Sequence, residues 1–393
     1  MTEPTAPALP LATSTWDENE YSALERVIAS GRFTMGPAVQ RFEQDFAAFV
    51  GAEHAVMVNS GSSANLIAIA AAVLNPALDL NAGDEVIVPA VSWATTYYPL
   101  SQYGLTLKFV DISLETLNMD LDAVEKAIGP RTKAVLAVNL LGNPVDYERL
   151  RAICDTSGLL LIEDNCESLG ATLGGRQAGT FGVMGTYSSF FSHHISTMEG
   201  GLIVTDDLYL YQAMTSLRAH GWTRELPDDN LIHPKTGDAF DDHFRFALPG
   251  YNVRPLEMSG ALGIEQVKKL PSIIAGRRSN AVDFVQRFSG RDDLSIQQET
   301  GESSWFGFAF VLKGRLAGKR REVVAALTEA AIESRPIVTG NFVRNPVLSH
   351  LAHADPGALP NADKVHDDGL FVGNHHYPIS DKLELLERVI DSV

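Results

Sequence analysis

Short runs of β-branched and other apolar residues alternate with helix-length segments from residue 54 to residue 205. Seven such runs lie at residues 54–58, 85–88, 107–111, 134–139, 159–163, 185–189 and 201–205. Strands that are separated by helix-length segments favour crossover connections, in which a helix joins two parallel strands across one face of a sheet. The sequence therefore predicts an α/β fold with a mostly parallel central sheet and helices on both faces.

The pattern of the chain changes after Pro271. Helices are predicted at residues 273–288, 319–332 and 381–393, with new strands near residues 306–312. We predict an N-terminal arm and helix at residues 1–30, a large domain at 31–270 and a small C-terminal α/β domain at 271–393. Residues 1–15 are rich in Pro, Ala and Thr, which predicts a flexible or loosely docked arm.

The charge of the chain limits its partners. With 49 acidic and 31 basic residues, its formal net charge is −18, which argues against nucleic acid or an anionic membrane as the main partner. Its two cysteines, Cys154 and Cys166, are too few for a disulfide framework or an all-cysteine iron–sulfur cluster. The apolar runs are too short to span a bilayer and the N-terminus lacks the order of a secretory signal, so we expect a cytoplasmic protein.

Polar side chains follow three of the predicted strands, where ligands bind in open α/β sheets. Gly61–Ser63 offer backbone amides, hydroxyls and a helix N-terminus for a phosphate, although a plain helix cap has the same pattern. Asp164 ends an apolar strand and needs a cationic partner or a turn to cap. His193 and His194 follow another strand, where either a proton-transfer or a structural role fits. The histidine pair lacks the one-turn spacing of zinc ligands, so no metal site is predicted.

Several longer motifs carry a resemblance to a known family. They include "NSGSSANLIAIAA", "GDEVIVPAVSWATT", "IEDNCESLGA", "GTYSSFFSHHISTMEGG" and "GYNVRPLEMSGALGIEQVKKL". Together they resemble the sugar aminotransferase family, pyridoxal-phosphate (PLP) enzymes of fold type I that act on nucleotide-linked keto sugars. The resemblance covers nearly the whole chain and implies the aspartate-aminotransferase-like fold, with PLP bound in the large domain.

One position departs from the family pattern. In that family the strand at residues 185–189 ends in Ser-Phe, and three residues later stands the lysine that binds PLP covalently. Here Ser188 and Ser189 end the strand and the lysine position is His193, with no lysine between Lys133 and Lys235. An imidazole can transfer protons, but it cannot form a stable imine with the cofactor aldehyde.

This histidine-for-lysine pattern resembles the nucleotide-sugar 3-dehydratases of the family. The resemblance implies that pyridoxamine phosphate (PMP) is held non-covalently and that the C3 hydroxyl of a 4-keto-6-deoxy sugar is removed. L-Glutamate would regenerate PMP and ammonia would be released. The relatives that act on CDP sugars carry an iron–sulfur cluster on several cysteines, so the two cysteines here favour a GDP sugar, GDP-4-keto-6-deoxy-D-mannose.

The resemblance also implies roles for individual residues around the cofactor ring and the substrate. Asp164 would pair with the ring nitrogen, Trp93 would stack on the ring face and Glu167 would lie near the ring hydroxyl. His220 is a candidate second acid for the leaving hydroxyl. Arg254 is a candidate anchor for the glutamate carboxylate. A core tryptophan, a hydrogen-bonded histidine and a surface arginine are the structural alternatives for Trp93, His220 and Arg254.

The cofactor phosphate would contact Gly61, Ser62 and Ser188 of one subunit and Asn252 of a second subunit, which implies a homodimer with shared active sites. Two other functions remain open on the sequence. The first is an aminotransferase that makes an amino sugar, which would need a lysine from elsewhere. The second is a non-catalytic PLP-binding homologue, although it would have no reason to retain the other cofactor-binding residues while substituting a competent base.

Overall fold

The fold is taken from a computed structural model, which describes residues 6–393. Its strands, in chain order, are β1 (His54–Val58), β2 (Glu85–Pro89), β3 (Thr106–Val110), β4 (Thr132–Val138), β5 (Leu160–Asp164), β6 (Thr172–Leu173), β7 (Arg176–Gln177), β8 (Met184–Ser188), β9 (Gly201–Thr205), β10 (Leu294–Ile296), β11 (Gly307–Leu312), β12 (Ser334–Arg335) and β13 (Gly369–Gly373).

The helices, in chain order, are α1 (Glu18–Ser30), α2 (Pro37–Val50), α3 (Gly61–Leu74), α4 (Ala94–Gln102), α5 (Leu121–Ala127), α6 (Tyr147–Ser157), α7 (Leu208–Leu217), α8 (Ala239–His243), α9 (Glu257–Phe288), α10 (Arg320–Glu329), α11 (Pro360–Asp368) and α12 (Ser380–Asp391). None of these helices, within the part of the chain that the structure describes, is long and apolar enough to cross a membrane.

The central sheet has seven strands in the order β1-β9-β8-β5-β4-β2-β3. Strand β9 is antiparallel to both of its neighbours, and every other pair in the sheet is parallel. Strands β2, β8 and β9 are buried along their whole length, as expected where helices cover both faces of a sheet. The prediction of an α/β fold with a mostly parallel sheet is confirmed.

A second, smaller sheet follows in the order β10-β11-β13-β12, with all of its pairs antiparallel. Its aromatic side chains pack against the C-terminal turns of α9, where the ring of Phe284 stacks on Phe308 with centroids 4.1 Å apart. Phe310 and Phe288 extend the same apolar cluster. This core is separate from the clusters that pack on the central sheet.

Helix α9 is continuous from Glu257 to Phe288 and has Pro271 inside it. The predicted helix at residues 273–288 therefore began too late. A proline within a helix removes one backbone hydrogen bond, but α9 is held along its first half by packing against α1 and α2. At Gly263 an added Cβ would lie 2.5 Å from the ring of Phe42, so the two helices approach closely. Residues 270 and 271 lie inside this helix, and the division of the chain into three parts stays a prediction.

The N-terminal arm is docked rather than loose from residue 8 onward. Leu9 is fully buried, and its carbonyl accepts a hydrogen bond from the Glu333 amide at 2.9 Å. The Pro10 carbonyl accepts a bond from Nε2 of His375 at 3.0 Å, and Nε1 of Trp16 donates to the Ser196 carbonyl at 3.0 Å. The expectation of a flexible arm is wrong here because buried backbone partners fix it; residues 1–5 of that arm lie outside the described residues.

Candidate active site

One cavity of about 360 Å³ lies at the carboxyl ends of the strands of the central sheet. Its size is typical of small-molecule sites. Seven of the residues predicted from the sequence line it: Gly61, Ser62, Trp93, Asp164, Glu167, Ser188 and His193. Arg335, Val338 and Phe371, from the C-terminal part of the chain, line it as well. The topology of the sheet therefore brings these seven residues together.

Asp164 is a buried carboxylate at the end of β5. Its Oδ2 accepts hydrogen bonds from Nδ2 of Asn65 and from Oγ1 of Thr96, both at 2.8 Å. Its Oδ1 accepts one bond from the Cys166 amide at 3.1 Å. All three donors are neutral, so the charge of Asp164 is held in place without being neutralised. A buried carboxylate in this state is suited to a cationic group on a ligand.

The N-terminus of α3 forms the part of the cavity suited to a phosphate. Ser60 caps the helix by accepting a hydrogen bond from the Ser63 amide, which leaves the first amides, those of Gly61 and Ser62, without acceptors inside the helix. A Cβ on Gly61 would lie 2.7 Å from Cβ of Ser188 and 3.0 Å from Sγ of Cys166. Only glycine fits where α3 meets the end of β8.

His193 is half-buried at one side of the cavity. Its Nδ1 is buried without a hydrogen-bond partner, so Nε2 is the ring nitrogen that remains accessible. Burial, and after it the charge of Arg277, lower the pKa of this imidazole to about 4. His193 is therefore neutral at pH 7 and can accept a proton. The ring of Phe306 lies against it, with centroids 5.2 Å apart.

Glu167 is a second titratable group in the cavity. Its Oε2 accepts a hydrogen bond from the Leu141 amide at 3.1 Å. Burial, helped by the charge of Asp164, raises the pKa of Glu167 to about 7. This carboxyl group can therefore either hold or accept a proton near neutral pH.

Trp93 and His194 differ in their exposure. Trp93 lies at the mouth of the cavity and is 58% exposed, so it is not the core aromatic that the sequence left open. His194 is fully buried, and its Nε2 donates to the Ser304 carbonyl at 3.0 Å. This contact fits the structural role expected for His194.

Three of the predicted site residues do not line the cavity of their own chain. Asn252 is exposed, and its Oδ1 accepts a hydrogen bond from Nε of Arg254 at 3.0 Å. His220 lies beside Trp222, with ring centroids 4.7 Å apart, and the guanidinium of Arg254 lies 5.7 Å from the centroid of Trp222. These residues form a second cluster, and the role predicted for Asn252 from a second subunit stays a prediction. The same applies to His220 and Arg254.

The structure adds residues to the site that the sequence analysis missed. Asn65 and Thr96 orient Asp164, and Asn65 in turn accepts a hydrogen bond from Oγ1 of Thr186 at 2.6 Å. Asn65 is a polar residue within the apolar helix α3, and this could have marked it as a site residue. Further lining residues are Ser92, Thr95, Ser192, Glu199, Phe306 and Arg335.

Within residues 6–393 no group of three or more His, Cys, Asp or Glu side chains is arranged to hold a metal ion. Cys154 and Cys166 are both free thiols.

Comparison with known proteins identifies the family. The model of the DegT/DnrJ/EryC1/StrS aminotransferase family matches residues 14–393. The chain belongs to this family. The resemblance drawn from the sequence motifs is thereby confirmed. Within the family, the chain is 55% identical over 383 residues to GDP-4-keto-6-deoxy-D-mannose 3-dehydratase of Yersinia pseudotuberculosis, an alignment that covers 97% of this chain and 98% of that protein.

Solved structures of family members give the same result. A histidine-to-asparagine mutant of GDP-4-keto-6-deoxymannose-3-dehydratase with bound GDP-perosamine matches with a TM-score of 0.95 and 52% identity, covering 97% of this chain and 100% of that chain. The same enzyme with a trapped PLP-glutamate geminal diamine also matches with a TM-score of 0.95 and 52% identity, covering 97% of this chain and 99% of that one. The predicted fold of the type I PLP enzymes is confirmed by these matches.

Proposed function

We propose that the chain is a PLP- and PMP-dependent dehydratase that removes the C3 hydroxyl of GDP-4-keto-6-deoxy-D-mannose. L-Glutamate is the proposed amino donor and ammonia the second product. The observation that carries the proposal is His193, a neutral imidazole that faces the cavity at the position where the family pattern has lysine. A base without a primary amine favours proton transfer over covalent attachment of the cofactor.

The cavity fits the cofactor on three grounds. Asp164 is buried with only neutral donors, which suits the protonated ring nitrogen. The first amides of α3, those of Gly61 and Ser62, have no acceptor inside the helix and are open to the phosphate. Trp93, exposed at the mouth, offers an aromatic face for the ring. When bound, the cofactor supplies an amine for the sugar ketone and an aromatic system that takes up electrons.

The residues of the chain would then manage the protons. His193 accepts a proton at Nε2, and its burial keeps the imidazole free to do so at neutral pH. Asn65 and Thr96 fix Oδ2 of Asp164 and the Cys166 amide donates to Oδ1, so the carboxylate is held in place to accept a hydrogen bond from the ring nitrogen. Glu167 can share a proton with a neighbouring hydroxyl because its pKa is about 7.

The relatives support the choice of substrate and partners. Their names specify a GDP-linked 4-keto-6-deoxy sugar, and one of their structures contains GDP-perosamine and another a PLP-glutamate adduct. We further propose a homodimer in which Asn252 reaches the phosphate at the partner's site, consistent with its exposure outside the cavity of its own chain. We also propose the cytoplasm as the compartment, which is the expectation from the sequence.

The competing function is an aminotransferase that makes an amino sugar. That reaction normally uses a lysine next to the cofactor, and none of the described residues that line the cavity is a lysine. The aminotransferase therefore lacks a candidate for its central group, whereas the dehydratase has one in His193.

The test is a product mass spectrum. The purified chain is incubated with PLP, L-glutamate and GDP-4-keto-6-deoxy-D-mannose, and the nucleotide sugar is analysed. We expect a keto sugar that has lost one oxygen. A sugar that has gained an amine would support the aminotransferase instead. An unchanged sugar with glutamate converted to 2-oxoglutarate would mean that the substrate assignment is wrong while the amine chemistry is right.

A further inference from the structure

Arg277 in α9 is a buried cation without a carboxylate partner. Its side chain is almost fully buried, and it takes part in none of the ion pairs formed by residues 6–393. Its Nη1 donates to the carbonyls of Trp305 at 3.3 Å and Phe306 at 3.0 Å, whereas its Nε is buried without a partner. Burying an unpaired guanidinium costs free energy, so this arrangement calls for an explanation beyond stability.

The carbonyls that Arg277 binds belong to a strained piece of backbone. Trp305 has a φ of 48°, in the left-handed region that side chains other than glycine rarely adopt. Asn374 also donates to the Trp305 carbonyl, at 2.9 Å, and accordingly two side chains hold this peptide. The next residue is Phe306, whose ring packs 5.2 Å from the ring of His193. Arg277 therefore fixes the residue that packs against the proposed base.

The charge of Arg277 acts on the same histidine. Burial is the largest cause of the lowered pKa of His193, and the charge of Arg277 is the second. The same charge also lowers the pKa of His194, His375 and His376. The other titratable or charged side chains that line the cavity with His193 are Asp164, Cys166, Glu167, Glu199 and Arg335. None of them is a cause of the shift at His193, whose only charged cause is Arg277.

We propose that Arg277 is a positioning residue. Through the carbonyls of Trp305 and Phe306 it holds the ring of Phe306 against His193, and its unpaired charge acts on the imidazole. This inference rests on the base role of His193 in the proposed function. It explains why a cation is buried here without a carboxylate: a carboxylate partner would cancel the field that, together with burial, lowers the pKa of His193.

The test is the titration of the His193 ring, followed by NMR in protein labelled with ¹³C on histidine and assigned with the His193→Gln variant. We expect His193 in the wild-type chain to titrate below pH 5. In Arg277→Met, which removes the charge and keeps much of the side-chain volume, the midpoint moves up by about 1 pH unit or more. In Arg277→Lys, which keeps the charge, the midpoint stays near that of the wild type.

The matched control is Arg278→Met. Arg278 also binds carbonyls of the same segment, those of Ser303 and Glu302, but its charge is not among the causes of the shift at His193. We expect the titration midpoint of His193 in Arg278→Met to equal that of the wild type. An unshifted midpoint in Arg277→Met, or an equal shift in Arg278→Met, would overturn the proposal.

If Arg277→Met fails to fold, Arg277→Lys decides the proposal, because a midpoint near the ordinary histidine value in that variant overturns it. The titration is made without substrate, so a result that overturns the role of Arg277 is distinguishable from a failure of the proposed reaction. In an active preparation, the acidic limb of the turnover–pH profile should move with the NMR midpoint, which a purely structural role for Arg277 would not produce.

Discussion

Replacement of Gly61 by alanine tests the close contact that makes the phosphate site. The added Cβ would lie 2.7 Å from Cβ of Ser188 and 3.0 Å from Sγ of Cys166. Carbon atoms pack best at about 3.5–4.0 Å, so the first distance is roughly 0.8 Å too short. Ser188 ends β8 and is buried, and Cys166 follows the end of β5, so α3 must move away from them. Overpacking of this kind costs about 1–3 kcal/mol.

If that cost falls on the bound state, the affinity for PLP drops by about 5- to 150-fold. The assay is a titration of the cofactor-free chain with PLP, followed by absorbance, together with a thermal melt. Gly129→Ala is the matched control, because a Cβ at Gly129 would meet its nearest neighbour, Nζ of Lys108, at an ordinary 3.5 Å. Affinity and melting temperature equal to those of the wild type in Gly61→Ala would refute the account of the phosphate site.

Three further predictions concern His193 and its neighbours. In His193→Asn, turnover should fall by at least about a hundredfold, because the general base is removed. A PLP titration of this variant should show cofactor binding largely unchanged. Dehydration that persists in the variant would exclude His193 as the base. His193→Lys should form a coloured covalent adduct with PLP in an absorbance spectrum, and a chain without that colour would mean that residue 193 is not at the lysine position. The cofactor-free chain should melt at lower temperatures as the pH falls from 6.5 toward 4. His193 and His375 have pKa values near 4 in the folded chain, so the unfolded chain binds protons in this range that the folded chain does not. Above pH 6.5 this contribution is constant, and His193→Asn should reduce the dependence; an equally steep fall in that variant would contradict the assignment.

The residues at the ends of the strands could be predicted from the sequence because the topology of a parallel sheet collects them. Asp164 and Ser188 end the neighbouring parallel strands β5 and β8, and His193 follows β8, so all three lie at one edge of the sheet. Their chemical types then indicate the site without any knowledge of the loops.

Contacts between distant parts of the chain could not be predicted in the same way. Pro271 marked a break in the sequence, yet α9 continues through it because α1 and α2 hold the helix from the side. The arm around Leu9 has no periodic pattern, and its position depends on a backbone pairing near Ile332. Tertiary packing likewise determines that Asn65 and Thr96 donate to Asp164, and that Arg277 binds the Phe306 carbonyl in the interior.

The fate of the glutamate nitrogen tests the central claim most directly. The chain is incubated with PLP, ¹⁵N-labelled L-glutamate and GDP-4-keto-6-deoxy-D-mannose, and both the ammonia and the nucleotide sugar are analysed by mass spectrometry. A neutral imidazole in place of lysine predicts that the label leaves as ammonia and that the sugar, one oxygen poorer, carries none of it. Label retained in the sugar would contradict the dehydratase and make the chain an aminotransferase that works without a lysine in its cavity.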